Sequence, residues 1–407
     1  MKPKIRLKGF SGEWEYKKLS SLTSVRGGYA FQSSLFQKSG IPVVRISNIL
    51  SNGSVGGDFA YYPKLDGDSN VTLHDKDVVI AMSGATTGKI ARVDIGDGVL
   101  YQNQRVGLFT KTGKVDYDFL YAVLNRPHFN ELLNKLLTSS AQPNASSADI
   151  ESIEMGFPLD AEEQKALSNY ILSLDSLIQS TTKKIESLKQ VKAASLQSMF
   201  PQEGETKPRV RFKGFEGEWE KVTLGDCLII NNERNQNNAY GINDVLSVSD
   251  EEGVVNQIKL LGRSYAGKSV SNYRVLKTNQ IVYTKSPLKS KPYGIVKVNK
   301  GSVGIVSVLY AVYDTKENVC PDYIHYYFEP THRINNYLLP LINKGAKNTM
   351  NISDEMALTG SIWIPSYKEQ EKIAEYMQSL DSQISLQTLR LEKLKQIKSA
   401  CLDNMFV

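Results

Sequence analysis

Two tandem mixed α+β domains, separated by two long helices that pair as an antiparallel coiled coil with pseudo-two-fold symmetry, are the fold this sequence predicts. Three observations predict it. The segment PKIRLKGFSGEWEYKKL at 3–19 returns as PRVRFKGFEGEWEKVTL at 208–224. The segment SLDSLIQSTTKKIESLKQVKAASLQSMF at 173–200 returns as SLDSQISLQTLRLEKLKQIKSACLDNMF at 379–406. Between these echoes, short β-prone runs bounded by Gly, Asp and Ser precede a helical stretch, in the same order in both copies. The offset is 205 residues (208 − 3) at the front and 206 (379 − 173) at the back, so one unit is repeated across the 407-residue chain. The resulting boundaries are 1–157 for the first body, 158–205 for the first helix and its linker, 206–364 for the second body and 365–407 for the second helix.

Each copy opens on Lys-Gly-Phe and Gly-Glu-Trp, with Gly9, Gly12, Gly214 and Gly217 as turn residues and Trp14 and Trp219 as core anchors beside them. Residues 41–46 (IPVVRI) and 77–82 (DVVIAM) read as strands. Residues 88–93 and 99–109, joined by the turn-rich 94–98, read as a β-hairpin; 294–298 and 302–313, joined by 299–301, repeat it. A helical stretch follows at 116–121 and at 322–327. Phe157-Pro158 and Ile364-Pro365 then end a strand, because proline disfavours the helical region for the residue before it.

The long helices run from about Ala161 to Phe200 and from about Lys368 to Phe406. Leu167, Ile171, Leu174, Ile178, Thr181, Ile185 and Leu188 recur in steps of three and four, matched by Ile373, Met377, Leu380, Ile384, Gln387, Leu391 and Leu394. That period is a coiled-coil seam. Its polar breaks fall at equivalent places, Thr181 with Gln387 and Lys192 with Lys398, where a polar residue fixes register at some cost in strength. A single amphipathic helix is marginal in water, so each takes the other as its partner.

Composition sets the class. With 41% hydrophobic and 23% charged residues and a net charge of +6, the chain reads as a soluble globular protein whose mild basicity permits nucleic-acid binding without requiring it. It has no run of about 18 apolar residues and its start, MKPKIRLKGF, lacks the apolar core of a signal peptide. Cys227, Cys320 and Cys401 have neither metal-like nor disulfide-like spacing, which fits a reducing cytoplasm.

Several catalytic patterns approach and fail. Residues 84–90 (GATTGKI) resemble a phosphate loop but are one residue short between the glycines, and Ile90 stands where Ser or Thr would hold Mg²⁺. Asn125-Arg126-Pro127-His128-Phe129 has an arginine in a proline position of the methyltransferase Asn-Pro-Pro-aromatic loop, with no glycine-rich cofactor loop before it. Glu163-Gln164-Lys165 could be half of a nuclease Glu-x-Lys pair, but copy two reads Glu369-Gln370-Glu371. His74, His128, His325 and His332 make no zinc pattern with the cysteines, and no G-x-S-x-G elbow is present. The chain is expected to catalyse nothing and to hold no metal.

The opening motifs KGFSGEWEYKKL and KGFEGEWEKVTL, Arg26-Gly27-Gly28-Tyr29-Ala30-Phe31 followed by IPVVRISNI at 41–49, and the helix starts Pro158-x4-Glu163-Gln164 and Pro365-x3-Glu369-Gln370 resemble the specificity subunit of type I restriction–modification systems. The resemblance covers the whole chain and both copies. Copy two departs from it in lacking Gly-Tyr-Ala-Phe, having 230–235 (INNERN) instead. The resemblance implies that each body is a target recognition domain reading one half of a bipartite site on double-stranded DNA. It implies that the helix pair sets the unread spacer and docks two modification subunits carrying S-adenosylmethionine for methyl transfer to adenine N6. It further implies restriction subunits using ATP and Mg, a cytoplasmic location and no membrane. A duplicated coiled-coil scaffold without DNA contact is the alternative that composition alone leaves open.

Readout of base edges needs Arg, Lys, Asn, Gln or a hydroxyl within reach of a groove. Candidates in copy one are Arg45, Asn48, Ser83, Thr86, Thr87, Lys89, Gln102, Asn103, Gln104 and Arg105, with strand alternation setting Gln102 and Gln104 on one face and Asn103 and Arg105 on the other. In copy two they are Lys285, Ser286, Lys289, Ser290, Lys291 and Tyr293, together with Lys344, Lys347 and Asn348 in a second loop. Lys289 is expected to face phosphate and Arg105 a base.

Overall fold

The computed structural model of the chain describes residues 2–137, 144–267, 269–286, 290–344 and 350–407. In copy one the strands are β1 (Trp14–Lys18), β2 (Val25–Arg26), β3 (Ile41–Val44), β4 (Ala60–Tyr62), β5 (Thr72–Leu73), β6 (Val78–Ala81), β7 (Ile90–Arg92), β8 (Leu100–Gln102) and β9 (Val106–Phe109). Three helices follow, α1 (Tyr117–Leu124), α2 (Pro127–Leu137) and α3 (Ser147–Ser152), then strand β10 (Glu154–Pro158) and the long helix α4 (Ala161–Ser198). Copy two repeats the plan with β11 (Glu220–Thr223), α5 (Leu224–Cys227), β12 (Leu228–Ile230), β13 (Leu246–Ser249), β14 (Gly253–Asn256), α6 (Gln257–Leu261), β15 (Arg274–Leu276), β16 (Ile281–Thr284), β17 (Val296–Val298), β18 (Gly304–Val306) and β19 (Tyr310–Thr315). It closes with α7 (Pro321–Phe328), α8 (Thr331–Leu338), β20 (Asn343–Lys344), β21 (Met350–Asn351), β22 (Ser361–Ile364) and the long helix α9 (Tyr367–Asn404).

The hairpin expected at 88–109 does not form. β7 and β9 lie on opposite edges of β6, in a sheet ordered β2-β9-β6-β7, while β8 pairs with β3 and β5 in a second sheet ordered β4-β3-β8-β5. Copy two has the same arrangement, β12-β19-β16-β17, with β18 on β15. The apolar runs were correct as strands, but both flanks of the buried β6 (VVIA) and β16 (IVYT) demand a partner, and that demand overrides local turn chemistry.

Both long helices start at a built joint. The Asp160 side chain accepts from the Glu162 amide at 2.9 Å, capping α4, and Glu162 and Glu163 occupy the positive first turn. Glu163 is 1% exposed and held by Arg6 through two bonds of 2.8 and 2.6 Å. Gln164 donates to the Pro158 carbonyl and accepts from the Asp116 amide, the residue that caps α1. Glu369, bound by Arg211 twice at 2.7 Å, and Gln370, between the Pro365 carbonyl and the Cys320 amide, repeat this in copy two. The duplicated Glu-Gln pair is therefore a joint between body and helix, and its carboxylate is occupied.

The compact units do not follow the boundaries 1–157, 158–205, 206–364 and 365–407. One comprises Met1–Lys183 with Leu389–Val407, the other Lys184–Thr388. Each thus takes the first part of one long helix and the last part of the other. In the first unit Lys398 Nζ lies 2.5 Å from Asp175, and Leu402, Met405 and Phe406 join a core that includes Trp14, Phe119, Leu167 and Ile171. In the second, Lys192 Nζ lies 2.6 Å from Asp381, and Leu196, Met199 and Phe200 join Trp219, Tyr323, Ile373 and Met377. Tyr376 and Asp381 meet Ser195 and Lys192 in reverse order, so the helix segments within that unit run antiparallel.

The incoming helix end is held by an arginine of the body. Arg126 donates to the Leu402 and Val407 carbonyls and lies 5.5 Å over the Phe406 ring. Arg333 donates to the Leu196 carbonyl and lies 4.7 Å over Phe200. A cation satisfies end carbonyls and opposes the negative pole of the helix. Along the seam Leu167, Ile171, Leu174, Thr181, Ile185, Ile373, Met377 and Leu380 are buried, and Ile178, Leu188, Ile384, Gln387, Leu391 and Leu394 half-buried. The first residues of each seam belong to body cores, so the helix pair and the bodies share one apolar stripe.

Candidate nucleic-acid interface

In the first unit four chain segments converge at one edge of the sheets through main-chain bonds. The Tyr29 amide donates to the Gln102 carbonyl and the Gln104 amide to the Tyr29 carbonyl; Asn103 donates to Val44, and Met82 to Arg105. The short turn after β3 packs against the one after β6, where Gly84 faces Ile46. Segments 27–31, 44–48, 82–89 and 103–105 carry three cations, Arg45, Lys89 and Arg105, and no acidic residue.

Several candidates are used inside the fold. Gln102 is wholly buried, donating to the Arg26 and Val106 carbonyls and accepting from the Arg26 guanidinium at 2.9 and 3.2 Å. Asn48, 1% exposed, accepts from the Arg45 amide and donates to the Gly56 and Asp58 carbonyls. Gln102 has no bond left for a base edge, and Asn48 has both donors used and is buried, so neither amide is free to read DNA as expected. The alternation expected at 102–105 also fails, because β8 ends at Gln102 and the chain turns, the Val106 amide donating to Asn103. Gln104 and Arg105 are therefore exposed side by side, with Asn103 half-buried beneath them.

The phosphate-loop lookalike is a closed turn. The Thr87 amide donates to Gly84, Gly88 to Ala81 and Lys89 to Thr86, so these donors are not available to cradle an anion. Gly88 has φ +84, and a Cβ there would meet Asn130 Oδ1 at 2.5 Å. Lys89 reaches Ser51 at 2.9 Å, and Thr87 Oγ1 donates to the Gly84 carbonyl. Three polar atoms of the same edge, Arg45 Nε, Ser83 Oγ and Thr86 Oγ1, are buried without a hydrogen-bond partner. Buried polar groups without partners are uncommon and costly, and a bound water or a polar ligand group would relieve that cost.

The second unit presents the same edge differently. Gly294 closes the loop after β16 as Gly88 closes the one after β6: its Cβ would overlap the Thr284 carbonyl at 1.9 Å. Nine residues (285–293) lie between Thr284 and Gly294, against six (82–87) between Ala81 and Gly88. Lys285 is not a free cation, being 2.7 Å from Asp354, which Arg274 also contacts at 2.5 Å. Lys291 is buried, donating to the Glu329 carbonyl at 2.6 Å and lying 3.1 Å from Asp250. Both lysines are tied to protein acids or carbonyls, so neither is a free cation for the DNA contact expected of them. Tyr293 is half-buried against the core, Ser286 half-buried and Ser290 exposed. Lys289, Lys347 and Asn348 lie outside the described residues, and of Lys344 only the backbone, in β20, is described.

The sequence model described as "Type I restriction modification DNA specificity domain" matches residues 11–190 and again 216–396. The chain belongs to this family. It is also 29% identical over 188 residues to the type I restriction enzyme MjaVIII specificity subunit of Methanocaldococcus jannaschii, a match spanning 44% of each protein and so less than half of that relative's length. Its fold is similar to the crystal structure of a type I restriction–modification system S subunit from M. genitalium, with a TM-score of 0.65 at 13% identity, covering 100% of this chain and 99% of that one.

Each specificity domain also has exposed groups that residue-by-residue reading passed over. Tyr29 is 41% exposed and edge-on to Phe31 at 5.0 Å, and belongs to the Gly-Tyr-Ala-Phe run that the resemblance singled out. In the second specificity domain Arg263 lies 4.6 Å over Tyr265, itself 60% exposed. The signal available for that pair was Gly262-Arg263-Ser264-Tyr265, a turn bearing a cation two residues from an aromatic. Among the described residues no group of His, Cys, Asp or Glu is arranged to hold a metal ion, and no helix is long and apolar enough to cross a membrane.

Proposed function

We propose that this chain is the sequence-reading subunit of a type I restriction–modification complex, each specificity domain reading one half of a bipartite site on double-stranded DNA. The long helices set the unread spacer and dock two modification subunits. Those partners bring S-adenosylmethionine and methylate adenine N6, and restriction subunits bring ATP and Mg; the chain itself is non-catalytic and works in the cytoplasm. The observation that carries the reading is the edge of the first domain, where three cations, no acid and three partnerless polar atoms meet. Cations attract phosphate, and preplaced hydroxyls and guanidinium groups can be satisfied by base edges.

The test is enrichment of random duplex DNA on the purified chain at several salt concentrations. The expected result is a two-part motif with an unread gap, over a non-specific background that falls steeply with salt. A scaffold without DNA contact would enrich no motif and show no salt-dependent binding, and either result would overturn the proposal.

A further inference from the structure

In the second unit an unbroken line of ionic and hydrogen-bonded contacts runs from the long helices to the loop after β16. Lys192 Nζ, on α4, lies 2.6 Å from Asp381 Oδ1, on α9, and 2.6 Å from Glu329 Oε1, at the end of α7. Asp381 Oδ2 accepts from the Tyr326 hydroxyl at 2.8 Å. The main-chain carbonyl of Glu329 accepts from Lys291 Nζ at 2.6 Å, and Lys291 stands on the returning arm of the loop. Asp250, at the tip of the β13–β14 turn, lies 3.1 Å from Lys291 and 3.7 Å from Lys297. The side chains of Lys192, Lys291 and Lys297 are 13, 10 and 9% exposed, while their acid partners are 20–41% exposed, so these pairs are partly shielded from the screening that weakens surface ion pairs.

The first unit has the same helix pair without the line. Lys398 meets Asp175 at 2.5 Å, as Lys192 meets Asp381. The shared bond from Gln164 or Gln370 to the amide of Asp116 or Cys320 aligns α1 with α7, placing Ala122 at Tyr326 and Asn125 at Glu329. Ala122 has no hydroxyl to give, and Asp175 Oδ2 is buried without a partner. Asn125 turns its amide to the Tyr121 carbonyl at 2.8 Å, and Lys89, past the shorter loop, reaches Ser51 instead.

We propose that Lys192 is a positioning residue for DNA readout by the second domain, fixing through Glu329 the arm that carries Lys291, and that Lys398 has no such role in the first domain. The inference rests on the DNA-reading function proposed above. Lys285 and Lys291, on the described parts of this nine-residue segment, are each held by groups of the protein, and through Glu329 the helix pair braces the arm that carries Lys291. Base preference in one half-site is thereby tied to the helices, while the other half-site is set within its own domain.

The experiment is enrichment of random duplexes on the full chain carrying Lys192→Met, Lys192→Arg or Lys398→Met. The expected result for Lys192→Met is roughly a tenfold loss of base discrimination in one half of the motif, with the other half and the non-specific salt dependence retained. Lys192→Arg, which keeps the charge between the two carboxylates, is expected to restore most of it, and Lys398→Met to leave base preference unchanged in both halves. Should Lys192→Met not fold, as judged by denaturation followed at Trp219 and Trp363, Glu329→Gln takes its place; it keeps the carbonyl for Lys291, removes the charge facing Lys192, and is expected to show the same one-sided loss. Unchanged discrimination in both halves, or equal loss in both, overturns the inference while the wild-type motif stands. A wild-type chain that enriches no motif overturns the DNA-reading function itself.

Discussion

His325, on α7, has Nδ1 3.0 Å from the Val296 carbonyl, with the cations of Lys297 and Lys192 nearby. Its ring edge is partly open, yet burial, reinforced by Lys297, pushes its pKa down to about 3. The folded ring therefore stays neutral while the unfolded one takes up a proton below its ordinary pKa of about 6.5. Its contribution is fully present above that pH and is lost as the pH falls towards about 3. The urea midpoint of the second unit, followed by Trp219 and Trp363 fluorescence, should fall between pH 7 and pH 4, and His325→Gln should flatten that dependence. Tyr121 takes the equivalent place in the first unit, so no matching acid response is expected there from this position. Arg105, exposed at its turn, should behave differently: Arg105→Ala should cost about 1–3 kcal/mol of discrimination in one half-site if it is bidentate to guanine. An unchanged ranking of half-site variants would exclude base contact. Residue types suited to DNA contact were legible from the letters, but the bonds they make were not. Gln102 and Asn48 have the same donors and acceptors as Asn103 and Gln104, and only the approach of Arg26 to Gln102 from 76 residues away, and the return of the chain at Gly56 and Asp58 onto Asn48, decide which amides are consumed internally.

The elements were most legible where a period could accumulate. Thirty-eight residues of α4 and of α9 carry enough repeats of three and four to place both helices within a few residues of their observed ends. The strands of β7 and β9 are three and four residues long; their apolar character marks them as strands but cannot say that β6 lies between them. The joint at Glu163 was visible as a repeated Glu-Gln and unreadable as a joint, because Arg6 lies 157 residues away. Breaking it from one side leaves a buried charge alone, so Arg6→Ala should destabilise the first unit by about 3–5 kcal/mol, with Arg6→Ala/Glu163→Gln costing less than the sum of its parts. A double-mutant cycle by urea denaturation measures this, and strict additivity would mean that the pair is not coupled. At the same end of the helix pair, where α9 finishes beside the start of α4, Phe406 stacks on Phe119 at 5.5 Å and meets Trp14 edge-on at 6.2 Å. Phe406→Ala should cost about 3–5 kcal/mol, and the loss should appear in the unit that holds Trp14.

For the molecule as a whole, the duplication was legible and the division of the chain was not. A repeat tells which segments are alike and nothing about which copy of a segment packs on which body. The units Met1–Lys183 with Leu389–Val407 and Lys184–Thr388 exist because Arg126 and Arg333 each receive a helix end from the other repeat. A chain stopped after residue 400 should therefore lose cooperative unfolding in the first unit, far from the cut in sequence, while the second unit keeps its transition. Limited proteolysis with fluorescence separates the two, and loss confined to the second unit would contradict this assignment.

The arrangement also fixes an order of events during synthesis. The pocket formed by Trp14 and Phe119 leaves the ribosome early, but Leu402, Met405 and Phe406, which fill it, are made about two hundred residues after Lys183. At ~5–20 residues per second, the nascent first domain spends roughly 10–40 s with an open aromatic cleft while the second is still being translated. The earliest domain to be made is thus the latest to mature, its core closed only by the last residues of the helix that ends the second copy.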